Sequence, residues 1–309
     1  MPKRPWIELS IRLPFEFVEP AAELFRRYGK GGVAIEEAGG YNPDEGEGPP
    51  SRQSAIVRTY MPQTAAFRVN REMVHIGIQL IGHITDLPPM EEREIREEEW
   101  EAAWKAHFTP LRIGERLLVQ PPWHRDSVTP DDVVVEIDPG MAFGTGHHPT
   151  TYRVLHTLQL VLPRHPRARV VDVGAGSGIL SIAAVKLGAR SVTGIEIDKV
   201  AAKAGRGNIR ANRVGRRARL LTGTLPNPDI PPGEADLVLA NINSVVLVKM
   251  AVELRRLLKP GGEIIASGVL QERRQSVVDA FGEAGLGIRQ EFHDDDWVTL
   301  LASAGPEPA

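Results

Sequence analysis

A glycine-rich stretch between residues 170 and 198 constrains the fold of this chain most strongly. The apolar run Val170–Val173, typical of a buried strand, leads into Gly-Ala-Gly-Ser-Gly at 174–178. Helical apolar spacing follows up to Leu187, and a second β-rich run covers 191–197. A strand, a glycine turn, a helix and a strand form the nucleotide-binding half of a doubly wound sheet. Glycines there let the backbone approach a ligand where a Cβ atom would clash, and the helix N-terminus points at that ligand.

The spacing of these glycines indicates the kind of ligand. A dinucleotide fingerprint has glycine at its first, third and sixth positions, whereas Ile179 occupies the sixth position here and glycine the fifth. A G-x-G-x-G turn is the usual form in S-adenosylmethionine-dependent methyltransferases, which hold no pyrophosphate. Glu196 closes the next strand, where a carboxylate can accept hydrogen bonds from both ribose hydroxyls. We therefore expect Gly174, Gly176 and Glu196 to bind a cofactor; the alternative is a tight strand-to-helix turn without a ligand.

Length and composition indicate an ordinary globular protein of two domains. The chain has 309 residues, of which 25% are charged and 42% hydrophobic. A net charge of −3 argues against bulk nucleic-acid binding by the whole chain. The absence of cysteine excludes disulfides, thiolate zinc sites and cysteine nucleophiles. Because the sequence also shows no signal peptide and no membrane span, we expect a cytoplasmic protein, and nothing demands more than a monomer.

Residues 1–92 are expected to form a small module of their own. Apolar patterns predict, in order, strand 6–13, helix 15–28, strand 32–37, strand 54–61, helix 63–81 and an edge strand within 84–96. Pro88 and Pro89 argue against the last strand. The second helix carries an apolar face made of Ala66, Val69, Met73, Ile76 and Leu80. The order β-α-β-β-α-β is typical of a ferredoxin-like α+β module.

The next segment, residues 93–109, predicts a helical linker. It is dense in glutamate and passes into Trp100, Trp104 and Phe108. This pattern indicates a solvated helix with one anchoring aromatic stripe. Such a helix would be a stiff connector that sets how far the front module reaches.

Residues 110–309 alternate strands and helices. Besides the elements around the glycine turn, strands are predicted at 116–120, 133–137, 218–222, 235–240, 263–267, 288–292 and 297–302, and helices at 152–162, 199–212, 245–258 and 272–284. Pro260-Gly261-Gly262 is expected to stop the third of these helices. A closing helix and two final strands are the usual end of a seven-stranded methyltransferase sheet, so this domain is expected to have an α/β fold.

Two further patterns resemble the ribosomal protein L11 methyltransferases, the PrmA family. Residues 138–151 read Asp-Pro-Gly-Met-Ala-Phe-Gly-Thr-Gly-His-His-Pro-Thr-Thr and match the family's D-P-G-x-A-F-G-T-G-x-H-P-T-T loop. Upstream, W-x-x-x-W, F-x-P and P-x-W patterns occur between residues 100 and 123. The resemblance covers roughly residues 95–303, while the front module matches only in length and element order.

The resemblance implies a class I methyltransferase that uses S-adenosylmethionine to methylate amino groups of ribosomal protein L11. It implies a Rossmann-like seven-stranded methyltransferase sheet, joined by the helical linker to the ferredoxin-like module, which would recognise the substrate. The family's cofactor positions fall on Thr151, Gly174, Glu196 and Asn241, and Phe143 matches an aromatic residue beside the methionine end. Asn241 would orient the amine or the methionine group; the alternative is an asparagine that caps the next helix.

Three departures from the family pattern concern the substrate more than the cofactor. Glu196 replaces the commoner aspartate, and this longer acid can still bind the ribose. Ile-Asn-Ser-Val-Val-Leu follows Asn241 where the family usually continues Ile-Leu-Ala-x-Pro-Leu, so the acceptor-side wall at Asn243–Val246 differs. The polar stretch 41–52, predicted to be a loop, looks like an insertion.

Other clusters favour structural roles. Adjacent His147 and His148 cannot readily bind one ion, so we expect no metal and assign them to the shape of the loop. Thr151 is either a helix-start residue or a hydroxyl that reaches a carboxylate. The stretch His293–Asp296 is expected to be a polar turn. Six arginines, at positions 206, 210, 213, 216, 217 and 219, indicate a solvated helix face, with transient contact to ribosomal RNA as the alternative.

Two other functions stay open at this point. One is a related lysine methyltransferase that acts on a different protein. The other is a cofactor-binding regulatory protein without transfer activity. No Asn-Pro-Pro-Tyr or Asp-Pro-Pro-Tyr tetrad follows the fourth strand, which argues against the adenine and glutamine amino-methylases.

Overall fold

The computed structural model describes residues 5–29, 33–37, 54–95, 109–124, 128–138, 146 and 148–305. The chain divides into two compact units, Met1–Phe108 and Thr109–Ala309. The predicted loop at 41–52 and residues 96–108 of the predicted linker lie outside the described residues. None of the helices that the structure describes is long and apolar enough to cross a membrane.

The first unit is a four-stranded antiparallel sheet with two helices. Its elements are β1 (Trp6–Pro14), α1 (Phe15–Tyr28), β2 (Val33–Glu37), β3 (Ser54–Pro62), α2 (Phe67–Gly82) and β4 (Glu91–Ile95). The sheet order is β2-β3-β1-β4, and every neighbouring pair is antiparallel. Apolar residues of β1, among them Leu9 and Ile11, pack with α1 and α2 in one core. This is the predicted element order β-α-β-β-α-β.

The packing of α2 and the end of β4 differ from the expectation. Val69 and Leu80, on the predicted apolar face, are 63% and 61% exposed, whereas Val74 is fully buried. The reason is Gly77, because a Cβ atom there would lie 2.4 Å from Leu24 Cδ2. The missing side chain lets α2 approach α1 on that side and leaves the apolar stripe outward. In addition, residues 93–95 belong to β4 and do not begin a linker helix.

The second unit contains a seven-stranded sheet. Its strands are β8 (Arg169–Val173), β9 (Ser191–Glu196), β10 (Ala218–Thr222), β11 (Ala235–Asn241), β12 (Leu258–Leu270), β13 (Leu286–Asp294) and β14 (Trp297–Ala304), in the order β10-β9-β8-β11-β12-β14-β13. Strand β14 runs antiparallel to both of its neighbours, and the pairs from β10 to β12 are parallel. The predicted α/β sheet of the class I methyltransferases is confirmed.

Helices cover both faces of this sheet. They are α3 (Pro149–Val161), α4 (Ile179–Lys186), α5 (Lys199–Ala211), α6 (Ser244–Leu257) and α7 (Arg274–Glu283). Buried residues of α3, α4 and α5 form one core with the sheet, and those of α6 and α7 form a second core. Because β8, β9 and β11 are parallel, their carboxyl ends meet at one edge of the sheet, where such sheets bind ligands.

Two strand predictions in this unit were incomplete. The sequence pattern did not predict β5 (Leu111–Ile113), which forms a three-stranded sheet with β6 (Leu117–Gln120) and β7 (Val133–Glu136). Three residues are too few to show alternation. The helix before Pro260 does end at Leu257, but β12 begins at once and passes through the Pro-Gly-Gly sequence, with a register shift against β11.

Candidate functional site

The glycine turn between β8 and α4 has a backbone that side chains would disturb. Gly174, Gly176 and Gly178 have φ angles of +75°, +48° and +78°, in the left-handed region. A Cβ atom on Gly174 would also lie only 2.4 Å from Ile242 Cγ2. The Gly174 amide donates to the carbonyl of Ile195 at 2.9 Å, which ties the turn to the end of β9. The turn therefore lies at the carboxyl edge of the sheet with a defined conformation.

Glu196 is fixed against this turn. Its Oε2 accepts a hydrogen bond of 2.9 Å from the Gly176 amide, and its Oε1 accepts one of 2.9 Å from the Asp198 amide. Asp198 in turn caps α5, since its Oδ1 accepts from the Val200 amide at 2.8 Å. The acid predicted for the ribose thus lies beside the glycine turn with a defined orientation.

Asp172 is not among the residues that the sequence predicts for the site, yet it lies one position before the end of β8. It is fully buried, and its Oδ2 accepts a hydrogen bond of 2.6 Å from Ser181 Oγ. Its Oδ1 has no hydrogen-bond partner among the described residues. Burial, with a smaller effect from the charge of Glu196, raises the pKa of Asp172 to about 6. An acid inside an otherwise apolar strand, just before a glycine turn, is the signal that could have found it.

Asn241 and Thr151 come together from different parts of the chain. Asn241 ends β11, and its Nδ2 donates to Thr151 Oγ1 at 3.1 Å. Thr151, in the first turn of α3, is 1% exposed. The next helix is capped by another asparagine, because Asn243 Oδ1 accepts from the Val246 amide at 2.9 Å. The capping role considered for Asn241 is therefore wrong, and part of the Asn243–Val246 segment serves to start α6.

His148 shapes the start of α3. It is the N-cap residue, and its Nδ1 accepts from the Thr150 amide at 3.3 Å. Its ring meets that of Trp297 edge to face, with centroids 5.1 Å apart. His147 and Phe143 lie outside the described residues. Within the described part of the chain, no three His, Asp or Glu side chains are grouped so that they could hold a metal ion.

Only half of the stretch His293–Asp296 is the predicted turn: Asp295 and Asp296 connect β13 to β14, whereas His293 and Asp294 are paired with β14 as the last residues of β13. Asp294 Oδ2 accepts a hydrogen bond of 2.7 Å from Arg153 Nε, which joins the end of β13 to α3. A cleft of about 480 Å³ lies beside it, lined by Leu111, Pro149, Tyr152, His293, Asp294 and Asp295. The turn therefore stands at the same edge of the sheet as Glu196 and Asn241.

The arginine cluster serves the fold in part. Arg206 Nη1 donates to Thr222 Oγ1 at 3.0 Å, and Arg219 Nη2 donates to the Asp229 carbonyl at 2.7 Å. Arg210, Arg213 and Arg216 are exposed. Only Arg206 and Arg210 lie on α5, and Arg219 lies on β10, so the six arginines do not form the predicted single helix face.

Comparison with known proteins identifies the family. The family model described as Ribosomal protein L11 methyltransferase (PrmA) matches residues 5–304. A relative named Ribosomal protein L11 methyltransferase from Chloroflexus aurantiacus is 36% identical, covering 96% of this chain and 97% of its own length. A second relative of the same name, from Pelotomaculum thermopropionicum, is 37% identical, and the match covers 96% of this chain and 98% of that protein.

A solved structure agrees with these relatives. The crystal structure of a ribosomal protein L11 methylase from Lactobacillus delbrueckii subsp. bulgaricus is 30% identical with a TM-score of 0.57; the match covers 64% of this chain and 100% of that one. The family match takes in both compact units, so it extends beyond residues 95–303, where the motifs alone carried the resemblance. The protein is a methyltransferase whose methyl donor is S-adenosylmethionine, and the chain belongs to the ribosomal protein L11 methyltransferase (PrmA) family.

Proposed function

We propose that this enzyme transfers methyl groups from S-adenosylmethionine to amino groups of ribosomal protein L11. The acceptors would be lysine side chains, the N-terminal amine or both. The observation that carries the proposal is the family match over residues 5–304, which includes the front unit as well as the methyltransferase sheet. Relatives of 36% and 37% identity over nearly the whole chain bear the name of that reaction.

The proposed cofactor site combines residues at the carboxyl edge of the sheet. They are Thr151, Gly174, Gly176, Glu196 and Asn241, with Phe143 as a further member outside the described residues. Two observations support the fit: the glycine turn has a left-handed backbone at the carboxyl edge of the sheet, and a buried oxygen of Asp172 beside that turn has no hydrogen-bond partner among the described residues. A bound S-adenosylmethionine would supply a methyl group activated by a positively charged sulfur. Glu196 would accept from the ribose hydroxyls, as its place at the end of β9 suggests.

Asn241 is the proposed orienting residue for the acceptor. Its Nδ2 is committed to Thr151, which fixes the rotation of the amide and leaves Oδ1 as the acceptor atom. A lysine is protonated in water at neutral pH, so the enzyme must hold an uncharged amine in line with the departing sulfur. A carbonyl oxygen that accepts one N–H of the amine would orient its lone pair toward the methyl carbon. Desolvation at the sheet edge would favour the uncharged form.

The front unit is the proposed docking module for the protein substrate, the residues that follow β4 up to 109 are the proposed connector, and 110–309 are the proposed transferring domain. Support comes from the outward face of α2, which presents Val69, Met73, Ile76 and Leu80 to solvent. A contiguous exposed apolar stripe of this kind is typical of a protein-binding surface. The division of the chain into two compact units after Phe108 supports a transferring domain that begins near residue 110.

We also propose that the enzyme works as a cytoplasmic monomer and touches ribosomal RNA only transiently. Exposed Arg210, Arg213 and Arg216 offer a positive surface for phosphate groups. The net charge of −3 favours weak contact over lasting binding.

Mass spectrometry of large-subunit ribosomal proteins tests the proposed reaction. Ribosomes from cells that lack the gene are incubated with the enzyme and S-adenosylmethionine, with Gly176→Arg as the inactive control. We expect mass gains in methyl steps confined to L11. Gains on another protein would move the assignment to a different acceptor. No gain anywhere, with cofactor binding intact, would favour a non-catalytic binding role.

A further inference from the structure

One buried side chain on α5 joins two separate segments of the proposed cofactor site. Asn208 is 5% exposed, and both ends of its carboxamide are used. Its Nδ2 donates to the Ser177 carbonyl at 2.9 Å, and its Oδ1 accepts from the Asp138 amide at 3.2 Å. Ser177 belongs to the glycine turn, and Asp138 begins the fourteen-residue motif 138–151. A single residue thus links the turn to the start of that motif.

Helix α5 lies directly against the glycine turn at this point. A Cβ atom on Gly205 would lie 2.6 Å from the Gly176 carbonyl oxygen. Asn208 follows three residues later on the same helix face and binds the next carbonyl, that of Ser177. Two successive carbonyls of the turn therefore meet α5, while the Gly176 amide meets Glu196. The helix, and not the turn alone, determines how the peptide groups of the turn are oriented.

We propose that Asn208 is a positioning residue for S-adenosylmethionine: it holds the glycine turn and the start of the 138–151 segment in the arrangement that binds the cofactor. The inference rests on the proposed cofactor site. Asparagine suits this place because it donates and accepts at once. Aspartate has nearly the same size but would set a charged oxygen against the Ser177 carbonyl, while it could still accept from Asp138.

The chain offers a matched control one helical turn further on. Asn212 is 8% exposed, and its carboxamide accepts from the Glu136 amide at 3.0 Å and donates to the Glu136 carbonyl at 2.6 Å. Its described hydrogen bonds go to β7 and to the backbone of its own helix, and none reaches the glycine turn. Asparagine to aspartate therefore makes the same chemical change at both positions, but only one of them touches the turn.

The full-length variants Asn208→Asp and Asn212→Asp would be compared with the unchanged enzyme. Calorimetry gives the Kd of S-adenosylmethionine, thermal unfolding gives Tm, and methylation of L11 separates KM from kcat. We expect both variants to lose Tm, but only Asn208→Asp to raise the Kd and the KM for the cofactor, by about tenfold, because it replaces the donor to the Ser177 carbonyl by a charged oxygen. For Asn212→Asp we expect the Kd and the KM for the cofactor to change by less than about twofold, because its described hydrogen bonds do not reach the turn.

Two results would overturn the inference. One is an unchanged cofactor Kd in Asn208→Asp. The other is an equal rise of the cofactor Kd in both variants at equal loss of Tm, because a general destabilisation of the fold would affect both variants alike. If Asn208→Asp does not fold, Asn208→Ser removes the same donor without adding charge and must give the same shift in Kd.

A further variant separates this inference from the site on which it depends. Gly176→Arg fills the close approach at the turn and should abolish cofactor binding. Binding that survives Gly176→Arg refutes the proposed site and the role of Asn208 together. Binding lost in Gly176→Arg but unchanged in Asn208→Asp refutes only the role of Asn208.

Discussion

Asn241 Nδ2 donates a hydrogen bond of 3.1 Å to Thr151 Oγ1 and so joins the end of β11 to the first turn of α3. Thr151→Val keeps the shape of the side chain but removes the acceptor, so the amide of Asn241 loses its fixed rotation. We expect kcat/KM for S-adenosylmethionine to fall about tenfold on L11 as substrate.

Thr157→Val on the same helix is the control for this substitution. The Thr157 hydroxyl is fully buried and has no described partner, so its loss should leave the kinetics unchanged and preserve or raise Tm. Similar kinetic losses in both variants would mean that the bond to Asn241 has no special role.

Binding of S-adenosylmethionine should be weakened less by a shorter side chain at Glu196 than by the loss of its charge. Glu196→Gln turns one of the two accepting oxygens into a donor that faces a backbone amide, either that of Gly176 or that of Asp198. We expect the Kd of S-adenosylmethionine, measured by calorimetry, to rise at least about tenfold. Glu196→Asp, which restores the residue commoner in the family, should weaken binding less. A larger loss in the aspartate variant than in the glutamine variant would contradict this assignment of the carboxylate.

The parts of the site that follow from local sequence could be predicted, whereas the contacts that arise from packing could not. Gly174, Gly176 and Glu196 stand where the strand-turn-helix-strand pattern puts them, because glycine spacing and strand ends are visible in the sequence. Thr151 and Asn241 were predicted as separate site residues. Their contact depends on how α3 packs against β11, which no local pattern encodes.

Two features could not be predicted because they depend on what is buried in the folded chain. The apolar stripe at Val69 and Leu80 has ideal helical spacing, yet the face beside Gly77 packs inward because a glycine there permits close contact with Leu24. Asp172 looks like an ordinary strand residue until its burial is known, since burial is the main cause of the raised pKa of its carboxyl. The period and type of apolar residues indicate which faces of a helix can be buried. Small residues at contact points decide which of these faces is buried.

Asp172 should make the ligand-free protein less stable as the pH rises. Its pKa is raised from 3.8 to about 6 in the folded state, so between these values the folded protein binds a proton that the unfolded chain has released. The contribution of Asp172 to the free energy of unfolding therefore falls as pH increases from about 4 to about 6. We expect Asp172→Asn, measured by urea unfolding, to gain stability relative to the unchanged protein over this range. A difference between the two proteins that stays constant with pH would contradict the raised pKa.

The outward face of α2 should matter for the protein substrate and not for the cofactor. Replacing both Val69 and Leu80 by Glu removes exposed apolar surface, so we expect a higher KM for L11 with an unchanged Kd for S-adenosylmethionine. Both side chains are more than half exposed, and stability should change by no more than about 0.5 kcal/mol per site. Gln79→Glu, an exposed neighbour on the same helix, adds a charge without removing apolar surface and should leave KM unchanged. An unaltered KM in the double variant would exclude this face from substrate docking.

Two glycines of α5 should respond oppositely to the same substitution. A Cβ atom on Gly205 would lie 2.6 Å from both the Gly176 carbonyl oxygen and Leu220 Cδ1, whereas nothing lies within 4 Å of one on Gly207. Gly207→Ala should stabilise the protein by about 0.5–1 kcal/mol, because alanine favours the helix. Gly205→Ala should destabilise it by about 1–3 kcal/mol through overpacking.

The same pair of variants tests how the helix and the turn are coupled. Gly205→Ala pushes α5 away from the glycine turn, so we expect the Kd of S-adenosylmethionine to rise together with the loss of Tm. Gly207→Ala should leave the Kd unchanged while Tm increases. Urea unfolding and calorimetry on the two proteins measure both quantities. Cofactor binding that is unaffected by Gly205→Ala, despite a lower Tm, would show that the turn keeps its binding conformation without close support from α5.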